Sequence, residues 1–423
     1  MSNAFSKEER VSFDNVLESF EDQLVLTRNV AKFNTESVQM ERSGDTIWRP
    51  MPYIAQSHDG TDATANFDEA TQLSVPARLG FQKHSTAILT ATELRDLLQE
   101  GRLGEAAAEK LASDINVAVM NVAARQGTLV VKRTTAASGF DDVAQCDAIM
   151  NEQGIQARNR KLALSTRDYN GMAKDLQVAS RSFGNTKSDK AYEEAYVGKV
   201  SSFETFKLDY SNRITAAAGG GGLTINTLVA GAQYYTPAAT RVASTGEQSN
   251  VDNRYQTVTI SSTTNVVAGD CFTIAGVNAV HHVTKGDTGQ LKTFRVISVD
   301  SSTTMTISPP IISAQGGTDA ELQYQNVTVT GSATAAIVFL NTVAAAINPF
   351  WHKDTIELLP GHYAVPTDAG VKVMRASTEN GIEITMQKFY DINTMKTKYR
   401  WDIFFGVVLL QPEMAGLMLF SQT

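Results

Sequence analysis

Four glycines at 219–222 mark an abrupt break in the character of this chain, and the break constrains the fold more than any other feature. From there to residue 345 the sequence is rich in Thr, Ser, Val and Gly, with turn signals at intervals of roughly 8 to 12 residues, the pattern of an all-β module. The flanks read differently. Before the break, apolar residues recur at helical spacing; after about residue 346, NPFWHKDTIELL, VKVMRA, GIEITMQKFYDI and MKTKYRWDIFFGVVLL read as strands of a mixed domain. A β module is therefore expected to interrupt an α+β domain. With 423 residues, of which 42% are hydrophobic, the chain can bury a separate core in each part.

Ahead of the break, residues 6 to 26 are expected to form an amphipathic helix, with Ser6 and Glu9 as its capping box and Phe13, Val16, Leu17, Phe20 and Leu24 on one face. Asp14, Glu18, Glu21 and Asp22 share the opposite face, either as a solvated stripe or as a docking site for a basic partner. The polar stretch RPMPYIAQSHDGTDATANFDEATQLSVPAR at 49–78 is expected to be an extended two-stranded loop. A second helix is expected from Thr90, capped by Glu93, through Leu94, Leu97, Leu98, Leu103, Ala107, Leu111, Ile115, Val119 and Val122 to a stop at Gly127. Gly101 and Gly104 are expected to kink or divide it. AQCDAIMNEQGI reads as a helix ending at Gly154, and LALSTRDYNGMAKDL as strand, turn and helix.

Known catalytic and metal patterns find little purchase. His281 and His282 are adjacent in an expected strand, where neighbouring side chains point to opposite faces, so the pair cannot readily serve one metal ion. Cys146 and Cys271 read as buried apolar side chains, and the glycine run lacks the Lys-Ser/Thr of a phosphate loop, which makes it a domain joint. The histidines at 58, 84, 281, 282, 352 and 362 form no triad pattern. No catalytic residue, cofactor or metal site is therefore assigned. Trp48, Phe350 and Trp351 suit either sugar stacking or the anchoring of strand ends in a core. A net charge of −8 argues against a surface devoted to nucleic-acid backbones. The charged N-terminus, MSNAFSKEERVSFDN, and the shortness of the IFFGVVLL run lead to the expectation of a soluble cytoplasmic product with no membrane partner.

Several stretches, in order, resemble the coat proteins of P22-type short-tailed bacteriophages. They are MERSGDTIWRP at 40–50, the TELRDLL helix, NVAARQGTLVV at 121–131, STRDYNGMAKDL at 165–176, VDNRYQTVTISSTTNVVAGDCFTIAGV at 251–277 and NPFWHKDTI at 348–356. The ending RWDIFFGVVLLQPEMAGLM is similar to the final strand and turn of tailed-phage capsid proteins. The resemblance implies a Hong Kong 97 phage-like capsid fold with an inserted β-barrel. Its parts would be an N-terminal arm and first peripheral strand at 1–48, an extended loop at 49–78, and a spine helix with the peripheral domain at 79–130. An axial domain at 131–218, the barrel at 219–345 and return strands at 346–423 complete it. It implies a major capsid protein that assembles with itself into pentamers and hexamers of an icosahedral virion shell in the host bacterial cytoplasm. The implied partners are a scaffolding protein, a portal protein and packaged double-stranded DNA bound without sequence readout. Asp14, Glu18, Glu21 and Asp22 are then the expected scaffolding contact, and the overall acidic charge balance fits a lining that repels DNA and lets it be packed without sticking. The polar segment TRVASTGEQSNVDNR at 240–254, with Arg241, Glu247, Asp252 and Arg254, is either an inter-capsomer loop or an idle one. The other readings are a β-rich decoration, tail or carbohydrate-binding virion protein, and an unrecognised hydrolase.

Overall fold

The computed structural model describes residues 7–33, 46–52, 54–64, 67–90, 92–93, 97–181, 197–208, 210–219, 222–225, 234–329, 334–363, 371–378 and 381–423. The chain divides into two compact units, one made of residues 1–47, 77–120 and 356–408 and the other of residues 48–76, 121–355 and 409–423.

In the first unit, helix α1 (Lys7–Gln23) buries Phe13, Val16 and Phe20, the face its apolar spacing defines. The expected Ser6 and Glu9 cap lies outside the described residues. The end of α1 is held by Asn116 of helix α2 (Leu97–Gln126): its side-chain amide donates to the Gln23 carbonyl at 2.9 Å, and its oxygen accepts from the Leu26 N–H at 3.3 Å. These bonds satisfy backbone groups that a helix end leaves open. At thirty residues α2 is about 45 Å long at ~1.5 Å per residue. It starts later than Thr90, which closes the strand Phe81–Thr90, although the Glu93 carboxylate does accept from the Thr90 N–H at 2.8 Å. Gly104 sits within the helix and neither ends nor divides it. A Cβ there would come 2.6 Å from Val16 Cγ2, so the glycine lets α1 approach closely. The sheet of this unit runs Ala31–Lys32, Ile356–Pro360, Lys396–Leu409, Glu383–Asp391, Lys372–Ser377, with Phe81–Thr90 also paired to Lys396–Leu409.

The second unit holds a six-stranded mixed sheet in the order Leu129–Lys132, Ala415–Leu419, Asn348–His352, Arg160–Ser165, Phe203–Leu208, Lys199–Val200. Helices α3 (Phe140–Glu152) and α4 (Thr166–Arg181) accompany it, and Val143, Cys146, Met150 and Met172 pack with Leu162, Leu164, Phe203 and Phe350 in one core. The strand at 160–165 passes into α4 with no intervening turn. Asp168 in its first turn accepts from the Ser165 hydroxyl at 2.7 Å, an N-terminal cap in place of the expected turn.

The interrupting module is a closed barrel. Five strands run Gln256–Thr259, Thr304–Ser308, Asp287–Val299, Cys271–Val280, Ile337–Phe339. The two outer edges are joined through residues 223–225: Ile225 bridges to Ile260 beside the first strand, and Thr224 bridges to Ala336 beside the last. Among the described residues these bridges link the two edges at one end. Inside lie Phe272, Phe294, Ile274, Val296, Met305 and Ile307, with Phe272 stacked on Phe294 at 5.7 Å between ring centroids. Alternation sends Phe272 and Ile274, Phe294 and Val296, and Met305 and Ile307 to this core, and a register shift after Thr273 makes Val277 the next inward residue.

Candidate functional site

The paired histidines lie just past the strand Cys271–Val280, in the turn that follows it, so strand geometry does not govern their directions. His281 turns back locally: its Nδ1 accepts from the N–H groups of Val283 and Thr284 at 3.2 and 3.1 Å. His282 is buried beside a carboxylate, with Nε2 3.8 Å from Glu413. Glu413 belongs to the short helical turn Pro412–Met414, and it also takes an ion pair from Lys292 at 2.5 Å and the Asn326 amide at 3.1 Å. Lys292 reaches on to Gln153 Oε1 at 3.0 Å. The barrel and the mixed sheet are thus joined through a buried charge cluster. Burial would raise the Glu413 carboxyl, but Lys292, His282 and the hydrogen bonds outweigh it and hold Glu413 below its ordinary value. Burial first, and Lys292 with Lys285 and His281 after it, push the His282 imidazole down to about 4 against the pull of Glu413, so it is neutral at physiological pH.

Cys271 is buried as expected, but against Val130, Leu417 and Leu419 of the mixed sheet, and burial pushes its thiol up. Among the described residues, no three His, Cys, Asp or Glu side chains stand where they could hold a metal ion. Phe350 and Trp351 are buried strand residues, whereas Trp48 is half-buried. Sequence reasoning missed the Lys292, Asn326 and Glu413 cluster. Its one visible signal is a pair of cations, Lys292 and Arg295, set within the apolar strand segment LKTFRVISV.

The segment 240–254 divides into a tip and a root. The tip is an antiparallel hairpin of Thr240–Val242 with Gln248–Asn250, closed by the Ala243 N–H donating to the Glu247 carbonyl at 2.8 Å. Every residue from 241 to 250 is exposed, and Val242 keeps 68% of its surface open. Arg241 stands over the Tyr235 ring at 5.3 Å. At the root, Asn253 accepts from the Tyr235 hydroxyl at 3.0 Å and brackets Ala238 through its amide. Arg254, expected in the protruding loop, is instead buried: it grips Asp252 through two nitrogens at 2.9 and 2.6 Å and donates to the Leu409 carbonyl at 2.9 Å. The sequence grouped four charged residues; the structure separates exposed Arg241 and Glu247 from the Asp252 and Arg254 pair.

The strands Thr46–Pro50 and Ser74–Arg78 that flank the expected loop are paired, and the Met51 N–H donates to the Leu73 carbonyl at 2.8 Å. This loop is tied to the short helix Asp319–Tyr324 by the Tyr324 hydroxyl on the Thr71 carbonyl at 2.9 Å and the Gln323 amide on the Glu69 carbonyl at 2.8 Å. On α1, Asp14 and Glu18 are exposed and Glu21 is half-exposed, opposite the buried face. The side chain of Asp22 lies outside the described residues. No helix among the described residues is long and apolar enough to cross a membrane.

Residues 1–421 match the family model described as P22 coat protein, gene protein 5, and the chain belongs to that family of phage capsid proteins. Similar solved structures include the capsid of the cyanophage P-SCSP1u, at 11% identity over 93% of this chain and 91% of that one, with a TM-score of 0.42. Mycobacterium phage Che8 aligns at 8% identity over 94% and 92%, with a TM-score of 0.45. The CUS-3 coat protein I-domain is 38% identical over 29% of this chain and 99% of its own length, with a TM-score of 0.22. The protein is a structural component of the phage virion and assembles with copies of itself into the capsid.

Proposed function

We propose that this capsid protein assembles as pentamers and hexamers of an icosahedral shell in the host cytoplasm, and that the hairpin at 240–250 reaches a neighbouring capsomer. The observation that carries this reading is the contrast within the hairpin segment. Its root is fixed by buried bonds at Asn253 and Arg254, while its tip is a regular hairpin with all residues from 241 to 250 exposed. A tip so rigidly presented, carrying Arg241 and Glu247 with opposite charges, can pair with a second copy of itself across a two-fold axis. Simultaneous alanine substitution of Arg241 and Glu247 in the full chain, leaving the Asp252 and Arg254 pair intact, should yield tubes or unstable procapsids in electron micrographs. Closed shells of wild-type size and stability would overturn the assignment.

The acidic face of α1 is the proposed contact for a scaffolding protein, with Asp14, Glu18, Glu21 and Asp22 meeting a basic segment. Exposed charge pairs are individually weak, so such docking is multivalent and salt-sensitive. Glu18→Lys with Asp22→Lys should give shells lacking scaffold or aberrant assemblies, from subunits that fold. Normal scaffold content at every ionic strength would sink the contact. A portal protein at one vertex and packaged double-stranded DNA complete the proposed partners, and the net charge of −8 supports DNA that is enclosed without being held. The polypeptide's role is structural in this reading, with no reaction of its own.

A further inference from the structure

We infer that a cavity of about 550 Å³ beside the barrel, lined by Arg125, Arg213 and Arg295, is a binding site for a small phosphate-bearing anion such as pyrophosphate or a free nucleotide. Arg295 carries the argument. Its side chain is 1% exposed, yet among the described residues no carboxylate lies within ion-pairing distance of it. Only Nη1 has an acceptor, the Gly127 carbonyl at 3.2 Å, and buried Nε has none. Burying a cation without a counter-charge is strongly unfavourable, and guanidinium does not escape by losing its proton at physiological pH.

The acid that shares the cavity wall, Asp270, is already engaged. One oxygen accepts from the Asn341 amide at 2.9 Å and the other from the Val267 N–H at 2.9 Å. At the exposed edge, Arg125 and Arg213 make no ion pair among the described residues. Three guanidinium groups thus face one carboxylate and the weakly negative carboxyl end of α2, which leaves a net positive cavity. The volume falls within the ~300 to 1,000 Å³ of ordinary ligand pockets and exceeds what a halide would fill. The exposed Arg125 and Arg213 offer paired donors that match phosphate oxygens, while buried Arg295 adds its charge from within the wall, which favours this class over a simple monovalent anion.

The test is thermal unfolding and calorimetric titration of the full-length subunit with pyrophosphate and with ADP, at ionic strength held constant with chloride. Pyrophosphate should raise the unfolding temperature by a few degrees, Arg295→Met should abolish the rise, and exposed Arg213→Ser should weaken binding about tenfold. Should Arg295→Met fail to fold, the Arg213→Ser titration still decides. An equal rise in chloride alone or in acetate would overturn the proposal, as would an undiminished response of either variant. A response to a duplex oligonucleotide with none to pyrophosphate or ADP would overturn it too, by assigning the arginines to DNA.

Discussion

The barrel and the hairpin at 240–250 draw on the same Thr-, Ser- and Val-rich vocabulary and use it oppositely. In the barrel, alternation buries Phe272, Phe294 and Ile307 completely. In the hairpin, the strand pairing is just as regular, yet both faces are open and Val242 is left in solvent. The lesson is that pairing makes a strand and closure makes a core. The barrel returns on itself through residues 223–225, whereas a lone two-stranded ribbon has no second layer to cover it.

The largest expected effect lies in the barrel core. Phe272→Ala removes the ring stacked on Phe294 and in edge contact with Phe339, and should cost about 3 to 5 kcal/mol, seen as a lower urea midpoint or as insoluble subunits. A shift below about 1 kcal/mol would mean that the barrel is not one packed unit.

Next comes the charge cluster at the barrel's foot. His282 takes up a proton near pH 6.5 when unfolded but only near 4 when folded, so its neutral burial stabilises the fold fully above about pH 6.5. That stability should fall by about 3 kcal/mol as the pH drops through about 4. Glu413, held low by Lys292, moves the same way at still lower pH, and Lys285, lowered by burial to about 8, stays charged across that acidic window. Urea midpoints between pH 7.5 and 4.5 should therefore decline for the wild type and flatten for His282→Gln. Parallel curves would assign the acid loss to other groups.

A smaller effect should separate root from tip. Arg254→Ala strips Asp252 and the Leu409 carbonyl of their partner and should lower stability by about 1 to 3 kcal/mol. The smallest effect belongs to the tip: Glu247→Ala should stay within about 0.5 kcal/mol of wild type in the unfolding curve. Its consequence should appear only in the shape and durability of assembled shells. Equal destabilisation by the two substitutions would dissolve the distinction between root and tip.

Much of the fold was legible in advance because periodicity is local. The apolar spacing of Phe13, Val16 and Phe20 defined the buried face of α1, and the run from Ala107 to Val122 defined α2. Alternation marks strands around 257–260, 272–277, 294–299 and 305–307, while the structure extends the third back to Asp287 and adds Ile337–Phe339. The start of α2 was not legible, since the Thr90 and Glu93 bond reads as a helix cap wherever it occurs. Gly104 likewise looked like a breaker, because its neighbour Val16 is far away in the chain.

By itself the sequence marked a strand-rich stretch after residue 219, the buried face of α1 and the family to which the chain belongs, while the helix Asp319–Tyr324 within that stretch went unread; what was read rests on patterns between near neighbours or on ordered short matches. Only the tertiary structure decided what the buried charges do. Glu413 meets His282 and Lys292 across more than a hundred residues, Arg254 reaches Leu409, and Arg295 is left without an acid. A charged side chain reads the same in sequence whether it is solvated, paired or stranded, because the cost of its burial is set by whatever distant groups the fold brings beside it.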